Sequence, residues 1–361
     1  MPRHALLRRP ALTALAATAT LTLAACGGSD AGAGTTTSAA DAESCPGEVL
    51  DVVASVSQWG SIVEQLGGDC TNVTTVLASS AVDPHDYEAT AADIAAFTDA
   101  ELVVLNGADY DHWAADAVAT LDPAPAVVDA AEVVGIEGEE HAGEEGEHAE
   151  EEGEHAGEEG EHAGEEGEHA EEEGEHAEEG HGHGGVNPHL WYSPEYVQTV
   201  AAAVTEQLSE LSPDAADHFA EQAEAWEADL QPYLDELESL QSSAAGRSYA
   251  ATESVFQYTG EAIGLTDATP EGYRAAASNE TDPAPGDVAA FEAALTDGSV
   301  DVLVYNSQTE GSVPEQLRAA AEAADVPVVE VTESAPDGES SFVSWQLDQL
   351  QQLSNALGGG Q

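Results

Sequence analysis

The sequence predicts an α/β protein built as two lobes, each a parallel β-sheet flanked by helices, joined by a single long helix. Three observations predict it. Short β-branched runs alternate with helical stretches through residues 45–135, the same alternation returns over 247–357, and one long amphipathic stretch separates them at 213–243. Strands that alternate with helices favour a parallel sheet, because each return to the same edge needs a crossover.

In order, the first lobe reads VLDVVASV at 49–56, the helical SQWGSIVEQLGG at 57–68, VTTVLA at 73–78, the helical ATAADIAAFTDA at 89–100, ELVVLNG at 101–107, the helical YDHWAADAVATL at 110–121 and AVVDA at 126–130. A helix, PEYVQTVAAAVTEQLSEL, follows at 194–211. Ser212 is positioned as the N-cap of the long helix, with Pro213 at its first helical position. Phe219, Ala223, Trp226, Leu230, Leu234, Leu237 and Leu240 recur at three- and four-residue spacing, so one face of that helix is buried, and Pro232 predicts a kink. The second lobe then alternates RSYAATES (247–254), VFQYTGEAIGL (255–265), GDVAAFEAALTDG (286–298), VDVLVYN (300–306), VPEQLRAAAEAAD (313–325), VPVVEVTES (326–334) and SFVSWQLDQLQQLSNAL (341–357).

The expected organisation is a signal peptide at 1–25, a flexible tether at 26–44, a first lobe at 45–211, a connecting helix at 212–245 and a second lobe at 246–361. The signal assignment rests on the cationic MPRHALLRRP, the apolar ALTALAATATLTL and the small residues before Cys26. That apolar run is shorter than the roughly 20 residues of a spanning helix. L-A-A-C at 23–26 resembles a bacterial lipobox, which implies cleavage before Cys26 and a lipid on its sulfur. The mature protein would then be exported and lipid-anchored to the outer face of the cytoplasmic membrane. In that oxidising setting Cys45 and Cys70, each just before an apolar strand, are a candidate disulfide. Such a bond would add about 3 kcal/mol by restricting the denatured chain.

Charge narrows the partners. There are 72 Asp and Glu against 6 Lys and Arg, for a formal net charge of -66, so a nucleic-acid partner is excluded and a cationic one expected. Lys is absent, which excludes Walker-type phosphate loops and Schiff-base chemistry. Residues 137–179 hold 22 of the acidic groups, and the remaining 50 still face only 6 bases, so stability should depend on salt.

Residues 137–185 repeat GEEGEHA or EEEGEHA, placing His141, His148, His155, His162, His169 and His176 seven apart, with His181 and His183 following in HGHGG. Gly in every unit costs a helix about 1 kcal/mol against Ala, and nothing apolar beyond Ala is present to pack. The segment reads as a disordered insertion whose imidazoles gather metal weakly.

Outside the loop and signal only His85, His112, His189 and His218 remain. Two share a setting, V-D-P-H-D-Y at 82–87 and V-N-P-H-L-W at 186–191, in which Pro fixes the backbone before the imidazole and an aromatic can limit water. Rigid presentation of this kind suits a metal ligand. Glu253 and Glu333 each sit in a T-E-S triplet at the end of a β-rich run, where a cleft between lobes would open.

These residues together resemble the metal-binding lipoprotein receptors of bacterial ABC importers for zinc and manganese, the adhesin-type solute-binding proteins. The resemblance rests on VDPHDYEAT, LVVLNGADYDHW, the His-rich insertion immediately upstream of NPHLWYSP, the long linking helix and VDVLVYN. It implies a rigid pair of lobes clasping one divalent cation in the interlobe cleft and delivering it to a membrane permease, with the protein a monomer. Carried over residue by residue, it implies His85 and His189 as the first two ligands, Glu253 as the third and Glu333 as the fourth, with Glu310 the alternative to Glu333. His112 and His218 are expected outside the ligand set. Two imidazoles and two carboxylates make an acceptable tetrahedral Zn(II) site, while the oxygen donors also suit Mn(II); the His-rich loop favours zinc. A surface adhesin or passive metal buffer is a further reading. An enzyme is not expected, since the chain has no H-E-x-x-H, no G-x-S-x-G and no nucleophile beside a base.

Overall fold

The computed structural model describes residues 35–82, 87–136, 186–279, 281–309, 311–336, 338–339 and 341–358. The first sheet is built from β1 (Thr36–Thr37), β2 (Leu50–Val56), β3 (Thr71–Leu77), β4 (Leu102–Leu105) and β5 (Ala126–Asp129), in the spatial order β1-β3-β2-β4-β5. Four of these run parallel, with Leu50 level with Thr71 and Val52 with Leu102. Strands of a two-faced sheet read as nearly continuous apolar runs, and in β2 all residues but Asp51 are buried. Helices α1 (Ser57–Gly67), α2 (Ala91–Ala96) and α3 (His112–Ala119) make the crossovers, and α4 (Ala130–Val133) follows β5. In α1, Trp59, Ile62, Val63 and Leu66 recur on one buried face, as a helix packed on a sheet requires.

After a single 3₁₀ turn at Leu190–Tyr192, α5 (Pro194–Leu211) opens on Ser193, whose hydroxyl accepts from the Tyr196 amide, with Pro194 at the first turn. The long helix α6 (Ala216–Ser243) buries Phe219, Trp226, Leu230, Tyr233, Leu237 and Leu240, and each such fully buried side chain contributes about 1.5–3 kcal/mol. It runs continuously through Pro232, which faces solvent. Its start differs from the expected cap. A 3₁₀ turn, Pro213–Ala215, precedes it, and the Ser212 hydroxyl donates to the Glu48 carbonyl at 2.9 Å instead of receiving a helix amide.

The second sheet comprises β6 (Ser248–Ala251), β7 (Thr266–Asp267), β8 (Val302–Asn306) and β9 (Val328–Val331), ordered β7-β6-β8-β9 and wholly parallel. It is served by α7 (Gln257–Ile263), α8 (Glu271–Ser278), α9 (Pro285–Asp297), α10 (Ser312–Ala323) and α11 (Phe342–Ala356). One apolar cluster runs through both lobes, joining Val52 and Leu102 of the first sheet, Phe219 to Leu240 of α6, and Val302, Val304 and Val331 of the second.

Three elements, β1, β7 and α8, go beyond the sequence expectation. Thr36 and Thr37, within the stretch expected to be tether, pair antiparallel with Thr75 and Thr74. The Thr37 and Thr74 hydroxyls lie 3.2 Å apart, and the Asn72 side chain accepts from the Ala40 amide, so polar cross-strand bonds hold a segment with little to bury. The two-residue β7 and the helix α8 also went unread. Cys45 and Cys70 are joined by a disulfide, Cα atoms 5.0 Å apart, tying the starts of β2 and β3.

Candidate metal centre

The parallel register of the second sheet sets two carboxylates on either side of one amide. Ala251 is level with Val304 and Asn306 with Val331, so Glu253 and Glu333, each two residues past its strand pair, flank Asn306 on the central strand. Both carboxylates turn toward His189, which comes from the loop before α5. His189 Nε2 lies 3.5 Å from Glu253 Oε1 and 3.4 Å from Glu333 Oε2, and one donor atom from each of the three side chains falls within 4.8 Å of the others. His189 and Glu333 are 1% exposed.

The imidazole is oriented by Asn187. The Asn187 side-chain amide donates to the Ser254 carbonyl at 2.8 Å, and its Oδ1 accepts from the His189 backbone N–H at 3.1 Å, which fixes which end is oxygen. That oxygen lies 2.7 Å from His189 Nδ1, so Nδ1 carries the proton and Nε2 presents its lone pair in the neutral ring. This is the tautomer a metal-binding histidine uses, held as such histidines usually are by a hydrogen-bond acceptor on the other nitrogen. An imidazole nitrogen and two carboxylates converging in a buried space form a donor set that a cation between them would hold together. The Trp191 and Tyr110 rings stand edge-on to the imidazole, at 5.4 and 6.0 Å between centroids, and limit water.

The carboxylates are positioned by groups the sequence reading did not single out. Tyr110 donates to Glu333 Oε2 at 2.7 Å; burial first, and the Glu333 charge second, hold the Tyr110 phenol well above its usual range, so it stays a donor. The Asn306 amide donates to Glu333 Oε1 at 2.9 Å and to Glu253 Oε2 at 2.5 Å, and the Thr309 hydroxyl donates to the same Glu253 oxygen. Tyr110 owes its place to a tight turn, in which Gly107, Ala108 and Asp109 all have positive φ. Asp111 closes that turn, accepting from the Asn106 and Gly107 amides at 2.7 and 2.9 Å and from the Ser55 hydroxyl at 2.5 Å. Burial pushes the Asp111 carboxyl up to about 6 against those lowering hydrogen bonds. The signal for the turn was present in LVVLNGADYDHW, whose Gly and paired acids tolerate left-handed backbone.

Of the residues expected at the site, the structure brings together His189, Glu253 and Glu333. His85, Glu310, Cys26 and the eight loop histidines lie outside the described residues. Beside the 83–86 segment, the Val82 carbonyl accepts from the Gln308 amide at 3.4 Å, and Gln308 Oε1 accepts from the Ser334 amide at 2.8 Å. His112 is exposed at the start of α3, with Trp113 packed on Tyr87 and Phe97. His218 lies on α6 with Nε2 3.2 Å from the Gly67 carbonyl. Among the described residues no helix is long and apolar enough to cross a membrane.

Residues 52–356 match the family model described as zinc-uptake complex component A, periplasmic. The chain is 26% identical to the high-affinity zinc uptake system protein ZnuA of Bacillus subtilis (strain 168), over 82% of this chain and 81% of that one. It is 36% identical to the protein of the same name from Paracoccus denitrificans, over 61% and 66%. It is 22% identical to the manganese-binding lipoprotein MntA of Halalkalibacterium halodurans, over 61% of this chain and 59% of that one. The match thus spans about three fifths of MntA and four fifths of the Bacillus protein. Among solved structures, the fold resembles a crystal structure of ZnuA (TM-score 0.61, 19% identity, 86% of this chain and 100% of that one). It also resembles the periplasmic zinc-binding protein TroA of Treponema pallidum (TM-score 0.63, 18% identity, 86% and 99%). With the family model matched from β2 to the end of α11, and the same two-lobed fold in solved structures, the chain belongs to the zinc-uptake complex component A (ZnuA) family.

Proposed function

We propose that the protein is an extracytoplasmic solute-binding lipoprotein that captures Zn(II) between its lobes and delivers it to the permease of an ABC importer. The observation that carries this reading is the convergence of His189 Nε2, Glu253 Oε1 and Glu333 Oε2. One imidazole and two carboxylate oxygens are acceptable Zn(II) donors, and a second imidazole would complete a tetrahedron. His85 is the proposed fourth donor. Its support is the V-D-P-H pattern and the hydrogen bond from Gln308 to Val82, which brings the chain entering the 83–86 segment beside the loop that bears Glu333. Cys26 is the proposed lipid attachment point, and the histidines of 137–185 a weak gathering reservoir that raises zinc near the cleft.

Manganese is the second reading, favoured by the two carboxylates, since oxygen donors suit Mn(II), and by the relative that is named a manganese-binding lipoprotein. Elemental analysis of protein purified without added metal, followed by Zn(II) and Mn(II) competition titrations, separates them. One tightly held zinc lost in His189→Ala is the expected outcome. Tight manganese in preference to zinc moves the assignment to the second reading, and an unchanged affinity in His189→Ala removes the site.

A further inference from the structure

We propose that Asn306 is a selectivity residue: its one side-chain amide holds Glu253 and Glu333 to a single metal-facing oxygen each, and so sets a low-coordination site that favours Zn(II) over Mn(II). The inference rests on the reading of this cluster as a metal site and specifies how that site discriminates. Its basis is the division of the four carboxylate oxygens. Glu253 Oε1 and Glu333 Oε2 face His189 Nε2, while the other oxygen of each, Glu253 Oε2 and Glu333 Oε1, receives one hydrogen of the same Asn306 amide. Thr309 adds a second donor to Glu253 Oε2.

The orientation of the amide is fixed. Asn306 Oδ1 accepts from the Gln308 backbone N–H at 3.1 Å, and a backbone N–H can only donate, so the NH₂ end must point at the carboxylates. The strand is fixed as well: the Asn306 backbone N–H donates to Thr252 Oγ1 at 3.1 Å, and the residue is wholly buried on the central strand between the two that carry the carboxylates. A carboxylate can swing to offer both oxygens to a metal only by abandoning these bonds. Held as they are, the two carboxylates supply two donors, which with His189 Nε2 make three among the described residues. So low a count suits Zn(II), which is satisfied by four donors, and falls short for Mn(II), which prefers six mostly oxygen donors. Removing the amide would free Glu333 Oε1 and leave Glu253 Oε2 held by Thr309 alone, loosening the carboxylates to chelate through two oxygens and raise the coordination number toward the manganese preference.

The test uses the full chain, at free metal too low to load the weaker histidines of residues 137–185. Metal-buffered titrations give Zn(II) and Mn(II) affinities of wild type, Asn306→Leu and Thr309→Val, and one equivalent of Co(II) reports coordination through its visible bands, intense when tetrahedral and weak when octahedral. Wild type should give intense bands. Each variant should weaken Zn(II) about 10- to 100-fold, the usual effect of losing a partner that orients a ligand, while Mn(II) holds or tightens and the Co(II) bands fade. A folded Asn306→Leu with the wild-type zinc to manganese ratio and Co(II) spectrum overturns the proposal. So does equal weakening of both metals under a wild-type spectrum, the mark of a purely structural role. If Asn306→Leu loses its cooperative melt, Asn306→Ala, which also removes the amide, decides by the same readouts. Failure of the underlying metal-site reading is distinguishable, because then wild type binds neither metal or His189→Ala binds as tightly as wild type.

Discussion

Metal binding should stabilise the whole molecule in one transition, and His189→Ala should abolish the effect. The three converging donors come from the loop before α5, the end of β6 and the end of β9, and the apolar cluster behind them is continuous across both sheets and α6. Neither lobe can therefore melt without breaking the core of the other, and an ion held between them binds only the folded whole. At free zinc a hundred times the dissociation constant, the gain is about 2.7 kcal/mol. At roughly 2–4 °C per kcal/mol for a chain of this size, the melting temperature should rise by about 5–11 °C. Differential scanning calorimetry with and without zinc reads this directly. Wild type and His189→Ala are compared in a background lacking residues 137–185, since the loop's own histidines would otherwise bind metal in the variant. Two transitions of which zinc moves only one would refute the argument from the shared core, and a full shift in His189→Ala would refute the site.

Three further outcomes are expected. Deleting residues 137–185 should leave one tight site and remove several weak ones in titration calorimetry; loss of the tight site would show that the insertion is part of the fold. Glu253→His should raise the preference for Zn(II) over Mn(II) in competition titrations on loop-deleted protein, because imidazole suits zinc while Mn(II) favours oxygen, and an unchanged ratio would remove Glu253 from the ligand set. Asp111 should lower stability as pH rises: its folded value of about 6 exceeds the ordinary carboxyl value of 3.8, so it costs nothing below pH 3.8, where both states are protonated. Across pH 3.8 to 6 the unfolded chain ionises first and folding loses about 3 kcal/mol, a loss that persists above that window. Urea unfolding from pH 4 to 7.5 should show that decline reduced in Asp111→Asn, and identical pH profiles would contradict it.

What was legible in the sequence was whatever one segment encodes by itself. The β-branched runs gave the strands because their side chains fit a sheet covered on both faces, and Phe219 to Leu240 gave α6 because a helix turns one face to its neighbour every three to four residues. The Pro-His loop at 186–191 was readable for the same reason, rigidity being local, and His189 does stand beside its preceding proline with Nδ1 held by Asn187. Tyr110, Asn306 and Thr309 were not readable as site residues. Each acts through a partner 27 to 223 positions away, fixed by which strands lie side by side and in what register. Asn306 sits in VLVYN like any polar residue ending a buried strand, and only the order β6-β8-β9 turns it into a bridge between two carboxylates. Ser212 shows the converse. Its sequence setting suits a helix cap, yet the carbonyl of Glu48, brought close by the fold, takes the hydroxyl instead. The donors in this site were chosen by residue type, which a sequence displays; the geometry that gives them one oxygen each was chosen by topology, which it does not.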